Sequence, residues 1–221
     1  MPDLVKVPLS STEYQARFQR PFIGFIGADR SRAVEALVDA LLPFGFRLEN
    51  SDVVAVGSLA EHKVSFRFPD KGISLLFGAE YFQFTKEGSN WATAADDLKI
   101  LVAAEQALLH ESSAKVGNCL VTVAMHAQLL TRPREEVLFP FIPGPLREWR
   151  KAVSYGNHLK WADGDLLIDF SAVIANGIFL KFSSRFEGHP PAQEILERVL
   201  ADETAIYQLL GIDELQEHDD E

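Results

Sequence analysis

The sequence predicts an α+β fold of two related halves, each an antiparallel sheet with helices packed on one face. Three observations predict it. Val64, Phe66 and Phe68 alternate with Ser65 and Arg67, the period of a half-buried strand. Strand-like runs follow one another before each long helix instead of alternating with helices one by one. Finally, Leu101–Leu109 aligns without gaps on Val199–Tyr207, 98 positions later, and Ala103, Glu105 and Ala107 recur as Ala201, Glu203 and Ala205. At the same offset Phe82 and Phe84 fall on Leu180 and Phe182. Alanine-rich amphipathic helices also resemble one another by composition, so duplication and coincidence both stay open.

In chain order, residues 1–20 are mixed in polarity and are expected to form a loosely ordered lead-in. The first α+β half follows over residues 21–130. It starts with an apolar strand at Pro21–Gly27 and a helix over Ser31–Leu42, where Val34, Leu37, Val38 and Leu41 share a face before Pro43 and Gly45 end it. Strands are predicted at Val53–Val56, Val64–Phe68, Ile73–Phe77 and Tyr81–Phe84, with Pro69–Gly72 as a tight turn. Thr93 and Asp96 form a T-x-x-D helix start, and the helix runs to His110. Asn118–Leu130 reads as a strand. Residues 131–145 hold Pro133, Pro140, Pro143 and Pro145 and read as an extended connector. The second half, 146–212, offers a short helix near Leu146–Val153 and strands at His158–Trp161, Leu166–Phe170 and Ile178–Phe182. Asp163–Gly164 marks a hairpin. Pro190 and Pro191 introduce a last helix over Ala192–Leu210. The acidic tail, 213–221, is expected to fray.

Composition narrows the function classes. The formal net charge of −11 opposes binding to nucleic-acid phosphates or anionic membranes, and no dense basic run overrides it, so neither partner is expected. A single cysteine, Cys119, allows no intramolecular disulfide and fits a reducing compartment. The first eleven residues lack the basic start and apolar run of a secretion signal, and no apolar stretch is long enough to span a membrane, so a cytoplasmic location is expected.

Two residues are candidates for catalysis. Glu105 lies among Leu98, Leu101, Val102, Leu108 and Leu109 on one helical face; Glu203 lies similarly among Ile195, Leu196, Val199, Leu200, Ile206 and Leu210. A carboxylate on an apolar stripe is costly unless paired. Two such groups could do acid–base work or bind a cation; equally, each could be tied to a cation or backbone donor, or reach solvent by its stem. The six histidines form no H-x-x-H or Cys/His cluster, so neither metal nor cofactor is expected. His126 reads as a satisfied core or edge residue and Cys119 as a small apolar filler. Gly24-x-x-Gly27, followed by Asp29 and a helix, resembles a dinucleotide-binding opening, but Asp29 would repel the phosphates, and a strand, turn and helix cap account for it. Leu138, Phe139, Phe141 and Ile142 of the connector, together with Trp91, are the candidate partner-binding residues; the connector either docks a partner or packs on its own core.

The order Ile73–Phe77, Phe82–Phe84, Trp91, Ala94–Leu109, Leu120–Leu129, then Leu166–Asp169 and a long terminal helix, resembles a sporadically distributed, uncharacterised bacterial family of α+β proteins. That family usually has a tyrosine three residues before the tryptophan, where this chain has Gly88. The rhythm is also similar to SecB-like and secretion-chaperone folds, and this resemblance implies an acidic protein that binds unfolded clients, with no catalytic residues to carry over. The expected function is therefore a non-enzymatic binding, adaptor or chaperone-like protein that engages a protein partner, or a second copy, through an apolar groove. The alternative is a small enzyme or small-molecule-binding protein using Glu105 and Glu203.

Overall fold

The computed structural model describes residues 2–22, 30–54, 61–88, 94–111, 115–142, 144–145 and 156–215. Ten strands and four α-helices lie among them: β1 (Asp3–Phe18), α1 (Arg30–Leu41), β2 (Ser51–Val54), β3 (Lys63–Phe68), β4 (Ile73–Gly78), β5 (Tyr81–Glu87), α2 (Ala94–Glu111), β6 (Val116–Leu129), α3 (Arg134–Leu138), β7 (Asn157–Trp161), β8 (Gly164–Phe170), β9 (Gly177–Glu187), α4 (Ala192–Leu210) and β10 (Ile212–Glu214). The fold is α+β and mostly strand. Hydrogen-bonded neighbours follow the order β2-β3-β4-β5-β1-β6-β9-β8-β7, and β10 pairs with β1.

The chain divides into two compact units that interleave in sequence, one comprising residues 12–121 and 185–194, the other 1–11, 122–184 and 195–221. The sequence places its division in the proline-containing segment 131–145; here the long strands β1, β6 and β9 each contribute to both units.

In the first unit β3, β4 and β5 form an antiparallel meander in which Phe66 faces Leu75 and Phe77 faces Phe82. Alternation buries Val64, Phe66, Phe68, Ile73, Leu75, Phe77, Phe82 and Phe84 on one face. Phe77 stacks on Phe82 at 4.8 Å, and Tyr14 of β1 meets Phe82 edge-on at 6.1 Å. In the second unit β7, β8 and β9 form another antiparallel meander. Its core holds Leu166, Ile168, Ile178, Leu180 and Phe182 with Ile195, Val199, Ile206 and Leu210 of α4.

Three expectations are corrected. Residues 3–18 form a sixteen-residue strand, not a loose lead-in. The alternation of β1 is masked in sequence because its inward positions include Asp3, Tyr14 and Ala16 as well as Val5. The connector is not extended. Arg134–Leu138 is helical and Phe139–Phe141 makes a 3₁₀ turn, since Pro133 precedes the first and Pro140 is the second residue of the other, positions where a missing N–H costs nothing. The start of the acidic tail is ordered: Ile212–Glu214 runs parallel to Asp3–Val5. Several expectations lie outside the described residues: most of the Pro21–Gly27 strand, with Asp29, the cap at Thr93, Trp91, and the helix near Leu146–Val153.

Candidate functional site: a buried glutamate cluster on α2

Glu105 sits on α2 with Leu101, Ala104 and Leu108 buried around it, as the apolar stripe predicts, and it is itself 7 % exposed. A carboxylate placed there must find donors. Tyr14, pointing in from β1, supplies one: its hydroxyl donates to Glu105 Oε1 at 2.6 Å. His189, in the turn between β9 and α4, supplies the other, with Nε2 at 3.0 Å from the same oxygen. Cys119 of β6 completes the cluster. Its Sγ lies 3.3 Å from the Tyr14 hydroxyl and donates to the Gly188 carbonyl at 3.4 Å. All four residues belong to one unit.

The backbone explains why His189 reaches so far in. Gly188 has φ +71°, a left-handed conformation that glycine adopts freely. This bend lets Gly188 N donate to Gly117 O of β6 at 3.0 Å while its carbonyl accepts from Cys119. The turn is thus held at three points, two on β6 and one on Glu105.

Electrostatics divide the four groups. Burial, reinforced by the charge of Glu105, drives the Tyr14 phenol far above its ordinary value, so it stays protonated and acts as a donor. Burial pushes the Cys119 thiol up to about 11, which leaves little thiolate at neutral pH. His189 is raised by its hydrogen bond to Glu105, against partial desolvation. Its side chain is one-third exposed (33 %), so it is the member of the cluster with access to solvent. The arrangement stabilises an imidazolium on a buried carboxylate; it does not prepare a nucleophile.

Glu203 lies in the other unit, 8 % exposed on α4. Tyr207, one turn further along, is raised by burial and then by the charge of Glu203, and its hydroxyl lies 3.2 Å from Met125 Sδ. The connector residues are only partly available as surface. Leu138 and Ile142 are buried, Phe139 and Phe141 half-buried, and the Phe139 ring lies 6.4 Å from that of Phe170. His126 hydrogen-bonds Ser171 Oγ through Nδ1 at 2.9 Å.

An open groove of about 370 Å³ runs along the flank of α2. Leu98, Val102, Ala103 and Ala192 make its apolar lining; Lys99, Gln106 and Gln193 make its polar edge. Ala192 and Gln193 follow His189 by three and four residues, so the groove wall continues the turn anchored on Glu105.

Sequence reasoning found Glu105 but missed Tyr14, Cys119 and His189. They come from separate elements 84 to 105 residues away from their partners, a separation that leaves no local motif. The available signal was weak: a histidine directly before Pro190-Pro191.

No protein-family model matches the chain, and no curated protein matches it in sequence. Among the described residues, no helix is long and apolar enough to cross a membrane, and no group of three or more His, Cys, Asp and Glu side chains is arranged to hold a metal ion.

Proposed function

We propose that this chain is a non-enzymatic binding protein, adaptor or chaperone-like, that takes an apolar segment of a protein partner into the groove on α2. The groove carries the reading: an apolar floor with a polar edge is the kind of surface that receives an amphipathic segment. The glutamate cluster supports it from the other side, because its phenol and thiol are held protonated and its carboxylate is already engaged. The likeness in rhythm to secretion-chaperone folds belongs to this reading, as does a cytoplasmic location, which the single buried thiol favours. The test is affinity capture with the wild-type chain and with Val102→Glu, each checked for folding by circular dichroism. A partner retained by wild type and lost by Val102→Glu is expected; equal capture by both would remove the groove from the account.

A second reading has one observation in its favour. His189 is partly exposed while bound to a buried carboxylate, so an acidic small molecule could compete for the imidazolium. Titration calorimetry with small carboxylates, and its loss in His189→Gln, tests it; absence of heat in wild type ends it.

We further propose that the two sheet-plus-helix segments, β3 to α2 and β7 to α4, descend from one ancestor. Each is an antiparallel three-stranded meander leading to a long helix. The aligned positions Leu101 and Val199, Glu105 and Glu203, and Leu108 and Ile206 are buried alike. An experimental structure in which the two segments do not superpose in one strand order would count against duplication.

A further inference from the structure

We propose that Asn176–Gly177 is a guarded deamidation site: the turn between β8 and β9 withholds the Asn176 amide from reaction while it is closed, and a turn that opens and reacts closes less firmly afterwards. Asn-Gly pairs deamidate readily because the glycine nitrogen meets no side chain on its approach to the amide carbon, and this is the one such pair in the chain.

The fold calls for both residues. Asn176 has φ +51°, a left-handed conformation that asparagine tolerates better than most side chains. A Cβ on residue 177 would lie 2.7 Å from Ile174 Cβ and 2.9 Å from the Ile174 carbonyl oxygen, so glycine stands there. The Asn176 amide clasps the chain between β6 and α3 at three points. Nδ2 donates to the carbonyls of Leu129 at 3.0 Å and Arg132 at 2.9 Å, and Oδ1 accepts from Arg134 N, at the start of α3, at 2.9 Å. Gly177 N donates to Ile174 O at 3.1 Å. All these residues belong to one unit.

Deamidation has to undo these bonds. Gly177 N gives up its proton and attacks Asn176 Cγ; a cyclic imide closes, and Nδ2 leaves as ammonia with that proton. Water then opens the imide, its hydroxyl joining one carbonyl carbon and its hydrogen the ring nitrogen, to give aspartate or isoaspartate. Both Nδ2 bonds and the Gly177 N–H bond to Ile174 are therefore lost on the way, which is how the closed turn guards the site. Asn176 is exposed, so water is at hand once the turn opens. On reclosure the aspartate product sets a carboxylate, with no donors, against the Leu129 and Arg132 carbonyls; isoaspartate also adds a methylene to the backbone. The neighbouring guanidinium groups are already engaged, Arg132 with Asp3 and Gly211 O, Arg134 with Glu135 and Ser171 O.

The test incubates the full chain at pH 8.5, folded and in urea, and follows the peptide containing Asn176 by mass spectrometry. Reaction at least about tenfold slower in the folded chain is expected, because only the open fraction of the turn reacts. Equal rates, or no reaction in urea, would overturn the guarded site. Asn176→Asp, equivalent to the aspartate product, is expected to exchange its Leu129 and Arg134 amides faster than wild type; unchanged exchange would overturn the weakened closure. The rate comparison uses wild type alone, so it decides the guard even where Asn176→Asp fails to fold.

Discussion

Replacing Glu105 with Gln perturbs the cluster with little change of shape. The Tyr14 hydroxyl loses a charged acceptor at 2.6 Å and keeps at best a neutral one, a loss of about 1 kcal/mol. The new amide brings N–H groups up against the Tyr14 and His189 donors, which costs roughly another 1 kcal/mol. The His189 ion pair is also lost, but its ring is one-third exposed, so screening holds this contribution below about 1 kcal/mol. The sum is a destabilisation of about 2–3 kcal/mol near pH 6. The pH dependence follows from the direction of the His189 shift. A histidine raised in the folded state contributes stability that is fully present below its ordinary value of about 6.5 and is lost as pH rises through the folded value. The gap between wild type and Glu105→Gln should therefore be widest near pH 6 and narrower at pH 9. Urea unfolding followed by fluorescence and circular dichroism at both pH values, with coincident transitions and unchanged m-values, measures it. A variant as stable as wild type at pH 6 would refute the bonding scheme. A gap of equal size at both pH values would refute the role of the imidazolium.

Asp3 should matter as much. Its side chain is fully buried, accepts from Thr131 N and Arg132 N at 3.2 Å each and from the Thr131 hydroxyl, and lies 3.6 Å from the Arg132 guanidinium. Asp3→Ala strands these donors and should lower stability by about 3 kcal/mol, read as a fall in the urea midpoint. Cys119 should label with iodoacetamide at least about a hundredfold more slowly in the native chain than in urea at pH 8, because its thiol is both buried and raised; comparable rates would mean that the Tyr14–Cys119 contact opens readily. Gly164→Ala would place a Cβ 2.5 Å from the Ser183 carbonyl and 2.7 Å from the Trp161 ring, so it should cost about 2 kcal/mol or more and deprotect the β7–β8 amides in hydrogen exchange.

Local pattern was legible where one face is apolar and the ends are marked. Helix α4 begins and ends where Pro190-Pro191 and the apolar stripe place it, and α1 lies within a residue of its expected bounds. Strands β3, β4, β5, β8 and β9 contain the runs predicted for them, and β6 covers its run up to Leu129, because β-branched and aromatic residues there alternate cleanly or fill a buried face. Strand β1 was not legible. Its ends are read by neighbours distant in sequence: Asp3 is inward because Thr131 and Arg132 receive it, and Tyr14 because Glu105 does. The helix α3 was hidden by prolines that read as breakers yet stand at helix starts.

By itself, the sequence determined the secondary-structure class, the acidic charge, the apolar stripes of α2 and α4, and the presence of a glutamate on each stripe. Those are properties of spacing and composition along a short stretch. What neutralises Glu105 was decided only by tertiary structure. A strand from the chain's start, a strand from its middle and a turn from near its end bring a phenol, a thiol and an imidazole to one helix, and no local pattern encodes a meeting of segments so far apart.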